Sequence, residues 1–494
     1  MNNFRSSVKR GACLVVIIAI LGGCMLGPNF VRPAPPDTDR YTRKPQLEAT
    51  VAADGQAQHF THGAAITADW WRLFKSAQLD AIVRQAISNN PTLQASEASL
   101  RRSQDNMRAG YGVFFPQIQA GLDVSRQQTA PLLQGDQTPG TIFNLVTLSG
   151  TISYVLDVFG GERRMVEGLR AQVDYQRYEN EAAYLMLSAN IVNTSIARAA
   201  YAAQIHATEQ LIELENQQLH LTEAQVRAGI APYANVLSIR SLIAANQASL
   251  APLKQKISQA EHLLATLEGV VPSKATLPDI DLTGLSLPVD LPVSLPSDLV
   301  RQRPDILSAE AQIHIASAYI GVTTAAMFPS FSLSGTYGVA GSGLGNLSAS
   351  SGKFWSIGAS ATTPVFQGTS LWYVRRAAID AYQQSQENYR QTVLNAFAQV
   401  ADSLRALEHD AEALQAQVEA QRAAGEALNL LQVNYRAGTA AFLDVLTADV
   451  QFHVATIAYL QAVAQRLQDT VALFVALGGG WWNEQHPKGK EEAP

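Results

Sequence analysis

The chain has 494 residues, enough for two to four ordinary domains, and 47% of them are hydrophobic, which argues against a disordered chain. Only 16% are charged where ~25% is usual, and a net charge of −6 with a mean hydropathy of zero disfavours a nucleic-acid partner. The longest apolar run, Ala12 to Leu21, is about half of the ~20 residues that a spanning helix needs, so any membrane contact must be made another way.

That run has the form of a secretion signal, with Arg5, Lys9 and Arg10 before it and Gly22, Gly23 and Cys24 after it. Leu21-Gly22-Gly23-Cys24 resembles the lipobox of a bacterial lipoprotein signal. The resemblance implies removal of residues 1–23 and a covalent lipid on Cys24; Met25, in place of aspartate, implies sorting to the outer membrane. An ordinary signal peptide with an incidental cysteine is the alternative. Cys13 lies inside the signal, so the mature chain keeps one thiol and has no intramolecular disulfide. Residues 24–68, with prolines from Pro28 to Pro45, read as an extended anchor segment.

The rest of the chain is duplicated. Asn90-Pro91 opens a helical pattern that ends at Phe115-Pro116, and Arg303-Pro304 opens another that ends at Phe328-Pro329, 213 residues further on. Proline suits a first helical position because its missing N–H has no partner there. Arg227-Ala228-Gly229 recurs as Arg436-Ala437-Gly438 at an offset of 209, with Asn235 matched by Asp444. So long a period reads as one duplicated domain and not as a solenoid: a first repeat over 69–270, a Pro-rich linker over 271–300, a second repeat over 301–477 and a tail over 478–494.

Within each repeat the pattern turns from helix to strand and back. Ile118, Ala120, Leu122 and Val124 alternate with Gln117, Gln119, Asp123 and Ser125, and the same period of two appears at three further places. Strands are predicted at about 116–127, 145–158, 329–339 and 354–365. Their length and alternation suit a transmembrane barrel, and a soluble half-buried sheet is the alternative that the pattern leaves open. Helical hairpins are predicted at about 161–268 and 369–477, since Glu162 to Ala228 and Thr369 to Ala437 each lack proline and hold one glycine. Uninterrupted helices of that length reach roughly 100 Å. Leu407, Leu414, Leu428 and Tyr435, like Val445, Phe452 and Tyr459, follow a near-heptad spacing, and Gly229 and Gly438 mark the turns between helices. Pro252 predicts a kink.

Four strands cannot close a barrel, and an open edge in lipid strands backbone groups at several kcal/mol each. Closure calls for further chains, and three copies would supply twelve strands. The fold class predicted is thus a mixed membrane β-barrel plus long α-helical hairpins, assembled as a homotrimer whose Ser- and Thr-lined lumen conducts water.

At this point the chain resembles the TolC-like outer membrane factor family of efflux proteins, in its lipoprotein branch. The resemblance is carried by Trp70-Trp71-Arg72-Leu73-Phe74, Leu156-Asp157-Val158-Phe159-Gly160-Gly161, Arg303-Pro304-Asp305-Ile306, Tyr435-Arg436-Ala437-Gly438 and Ala476-Leu477-Gly478-Gly479-Gly480-Trp481. It implies a trimeric outer-membrane barrel continued by an α-helical tunnel in the periplasm. A periplasmic adaptor would join this channel to an inner-membrane pump, so that small molecules are exported. It also implies adaptor contacts at Arg227, Gly229, Arg436 and Gly438, and a gate that uses Tyr435 and Asp444. Thr447, Ala440 and Val450 stand where relatives carry charge, which implies a weaker or rearranged gate, and Asp449 is acidic but out of register. A solvated helix charge is the other reading of Asp444.

Competing classes find less support. His59 and His62 have no acidic or thiol neighbour at ligand spacing, Gly341-Ser342-Gly343-Leu344-Gly345 opens no helix, and Met107, Met165, Met186 and Met327 are scattered. No nucleophile, base and orienter can be assembled, so no enzyme, no metal and no cofactor beyond the lipid is predicted. A protein-secretion duct and a coiled-coil lipoprotein scaffold without a channel remain as alternatives.

Overall fold

The computed structural model describes residues 25–64, 66–129, 140–347 and 350–483. The signal segment, Cys24 and tail residues 484–494 lie outside the described residues. In chain order the elements are β1 (His59–His62), a 3-10 turn at Trp70–Phe74, α1 (Ala77–Asn89), α2 (Pro91–Gly110), β2 (Gln117–Gln128), β3 (Ile142–Leu156), α3 (Gly161–Arg227) and α4 (Tyr233–Leu267). There follow β4 (Asp290–Val293), α5 (Pro296–Gln302), α6 (Pro304–Ala325), β5 (Ser330–Gly341), β6 (Lys353–Thr362), α7 (Ser370–Arg436) and α8 (Phe442–Ala476).

The duplication is written into these lengths: α3 and α7 each have 67 residues, and α4 and α8 each have 35. The helix α4 runs on through Pro252. The segment 271–300 departs from a merely extended linker. Its Leu291 and Val293 are fully buried, β4 pairs in parallel with β1, and α5 starts at its end. Apolar alternation too short to stand alone finds a partner there in the N-terminal segment.

A second departure concerns domains. The chain divides into two compact units, and neither coincides with a repeat. The first takes Leu100–Gln176 and Ala309–Tyr389 with the stretch up to Pro33; the second takes Ala34–Ser99, Arg177–Ser308 and Arg390–Pro494. Each unit draws on both repeats because a strand pair or a helical hairpin buries too little surface by itself.

The second unit has its core around the aromatic motif. Trp70, Trp71 and Phe74 are at most 1% exposed, Trp70 stacks on Phe474 at 5.5 Å, and the Trp71 indole donates to Asp80 at 3.0 Å. Burying such side chains contributes about 1.5–3 kcal/mol each. Arg466, 2% exposed, donates to Gln58, Thr50 and the carbonyls of Ala53 and Gln56, which ties the N-terminal segment to α8.

Candidate pore lining and hairpin tips

In the first unit, β2, β3, β5 and β6 form one antiparallel sheet in that order. Pairing carries the alternation of each strand into phase with the next. Ile118 faces Ile152, Ile152 faces Gly335 and Gly335 faces Ile357, so these share one face. Gln119, Thr151, Thr336 and Ser356 share the other in the same manner. On the polar face the Thr151 and Thr336 hydroxyls lie 3.3 Å apart and those of Ser332 and Ser360 2.8 Å apart. On the apolar face Ile118 is 78% and Ile357 83% exposed. Among the described residues a single chain thus leaves an apolar face uncovered and two strand edges, β2 and β6, without partners. In water this surface would drive aggregation; in a bilayer it is a lipid face backed by a hydrophilic lining.

The strand-to-helix junction follows from Asp157, whose carboxylate accepts the backbone N–H groups of Glu162 at 3.1 Å and Arg163 at 2.9 Å. This caps α3, while Gly160 takes the left-handed conformation (φ +78°) that turns the chain into the helix.

The hairpin tips belong to the second unit. At the first, the N–H of Ile230 bonds the Gln225 carbonyl and that of Gly229 bonds the Val226 carbonyl; at the second, Thr439 bonds Asn434 and Gly438 bonds Tyr435. These are Schellman turns, with φ of +72° at Gly229 and +75° at Gly438. A Cβ at either glycine would meet nothing within 4 Å. Arg227 and Arg436 close the two helices with exposed side chains that make no ion pair among the described residues.

Tyr435 is held at the second tip. Its hydroxyl donates to Gln225 at 3.1 Å, its ring lies 5.7 Å from that of Phe442, and it packs on clusters containing Ile212, Ile239, Leu428 and Val445. Asp444 is exposed and accepts the Ala441 N–H at 3.1 Å, half of a capping box, since alanine has no acceptor to complete it. The Thr447 hydroxyl turns back to the Leu443 carbonyl at 2.8 Å.

One feature of this region had a sequence signal that spacing alone would have exposed. Thr208, Leu211, Glu215 and Thr222 form a buried stripe on α3, and Glu215 is the charge in it. Asn246 of α4 donates to Glu215 at 2.7 Å, and its other oxygen looks toward Asp449 of α8. Burial and the Asp449 charge push Glu215 up to about 7, and burial pushes Asp449 up to about 6. Burial and like charge both disfavour the ionised forms of these two carboxyls. Asp469, also on α8, is likewise raised by burial and by Asp410 of α7. Among the described residues no helix is long and apolar enough to cross a membrane.

A two-faced sheet open at both edges, joined in sequence to paired helices of 67 and 35 residues, defines a class: the subunit of an outer-membrane channel. The chain matches the outer membrane efflux protein family over residues 82–270 and 295–479 and belongs to that family. It is similar to the pyoverdine export outer membrane protein OpmQ of Pseudomonas aeruginosa, 27% identical over 481 residues, covering 95% of this chain and 98% of that one. The toluene efflux pump outer membrane protein TtgC of Pseudomonas putida is 27% identical over 478 residues, covering 95% and 96%. Among solved structures, the outer-membrane channel OprN superposes with a TM-score of 0.82 at 26% identity, covering 93% of this chain and 100% of that one. The chain is an outer-membrane channel component of an efflux pump, of mixed membrane β-barrel and long α-helical hairpins that extend into the periplasm.

Proposed function

We propose that three copies close a twelve-stranded barrel by pairing β2 of one with β6 of the next, and that the assembly exports small, partly apolar organic molecules. The observation that carries this is the shared register of four strands, which sorts all their side chains into a lipid face and a lumen face with two free edges. Arg227, Gly229, Arg436 and Gly438 contact a periplasmic adaptor, which couples the channel to an inner-membrane pump. Tyr435 and Asp444 form the narrow end of the conduit, and a lipid on Cys24 anchors each chain. The substrate class rests on the toluene and pyoverdine exporters among the relatives. No cofactor other than the lipid is required.

The test is purification as a heat-modifiable trimer followed by single-channel recording in a planar bilayer. The reading expects conductance that rises in Asp444→Ala. A trimer silent in both forms would instead support the scaffold alternative.

A further inference from the structure

An apolar cavity of about 890 Å³ opens in the first unit at the strand-to-helix junction, lined by Leu156, Phe159, Met165, Val322 and Phe328, with Glu162 and Gln367 among its polar groups. Met25 and Leu26 pass beside Phe159 and Gly160, next to this lining. The Leu26 N–H donates to the Phe159 carbonyl at 3.1 Å, and Gly160 lies so close to Met25 that a Cβ there would come within 2.8 Å of the Met25 Cα. This segment is held and not merely laid down. Arg164, 1% exposed, donates to the carbonyls of Leu26 at 3.0 Å and Gly27 at 3.2 Å and to the Asn29 side chain at 2.8 Å, and Glu167 balances its charge at 2.7 Å. Phe30 stacks on His314 at 4.3 Å, one residue further on. Glycine at 27 and 321 permits the close passage, since a Cβ on Gly27 would meet the Gly321 Cα at 2.5 Å.

Resting on the proposed acylation of Cys24, we propose that this cavity receives a fatty-acyl chain of that lipid. A single peptide unit, ~3.8 Å between Cα atoms, separates Cys24 from the Met25 contact. The clamp on residues 26–30 therefore keeps the anchor near an apolar space whose lining includes Phe159, the residue whose carbonyl accepts from Leu26. One Glu162 oxygen is buried there with no partner among the described residues. Burial and the Asp157 charge raise its carboxyl above the ordinary range. The site would thus fix where the anchor leaves the protein.

The experiment feeds cells a diazirine-bearing palmitate analogue, irradiates outer membranes, purifies the full chain and maps the crosslinks by mass spectrometry. The expected result is a label on Cys24 with crosslinks inside the same chain to Phe159, Met165, Val322 or Phe328. Filling the cavity with Ala326→Trp should lower those crosslinks at least about five-fold with equal labelling of Cys24; the wild-type map decides the matter if that variant fails to fold. A labelled Cys24 that crosslinks only to phospholipid, or only to a second copy seen as a dimer band, rejects the cavity while leaving acylation intact. An unlabelled Cys24 rejects the acylation itself and the occupant with it.

Discussion

The two hairpin tips share a backbone and differ in chemistry. Both end a 67-residue helix in Arg-Ala-Gly, both close with the same pair of turn hydrogen bonds, and both set glycine at a φ near +70° to +75°. Yet where the first carries Val226 the second carries Tyr435, and where the first has Asn235 the second has Asp444. Arg240 of the first hairpin pairs with Glu223 across that hairpin at 2.8 Å; the equivalent residue of the second is Asp449, which reaches to Glu215 of the first. Duplication kept the residues that make the turn and released those that make contacts. The second tip alone therefore acquired a bridging aromatic ring and a carboxylate at its helix start, and its helix sets a buried carboxyl near Glu215.

The comparison is tested most severely by Tyr435→Ala. Removing this half-buried ring and its bond to Gln225 should cost about 3 kcal/mol, while Val226→Ala at the matching place should cost about 1 kcal/mol. Amide hydrogen exchange at the two tips reads both, and equal losses would mean that the tips are energetically alike.

Next in size is the pH response. Glu215 binds its proton more tightly folded than unfolded, so the native state is favoured at low pH. That advantage is lost as pH rises from about 4.5 through about 7. The loss is on the order of 2 kcal/mol, shared between the two carboxyls. Glu215→Gln keeps a hydrogen-bonding amide without the titration and should flatten the curve when urea unfolding at pH 5 is compared with pH 8. An unchanged slope would remove the acid pair from the account.

Smaller and equal effects are expected of Gly229→Ala and Gly438→Ala. The left-handed conformation should cost each about 1 kcal/mol, with no steric surcharge because both surroundings are open. Thermal unfolding of the two variants should agree within a few tenths of a kcal/mol; a clear inequality would show that the shared turn is not an equal constraint. The smallest effect belongs to Asp444→Ala, which loses one first-turn bond at an exposed helix start, about 0.5–1 kcal/mol. If channel conductance changes by far more than so small a loss of stability would suggest, Asp444 acts on the conduit as well as on its helix.

Much of this was legible in one dimension. Period-two alternation placed four strands within two or three residues of β2, β3, β5 and β6 at most ends, and runs free of proline marked helices that end beside Gly229 and Gly438. Tyr435 and Asp444 were singled out by motif as gate candidates, but their hydrogen-bond partners Gln225 and Ala441 were not, the first lying 210 residues away on another helix.

By itself the sequence determined what depends on near neighbours: the duplication, the faces of each strand, the lengths of the helices and the left-handed turns, because these follow from dihedral preference and periodicity along the chain. Only the tertiary structure decided what depends on distant segments meeting. It set the phase of the four strands that makes one sheet face apolar, and mixed both repeats into each compact unit. It also brought Glu215 near Asp449 and set Met25 against Gly160. Local pattern says which side chains must be covered, and packing free energy chooses what covers them.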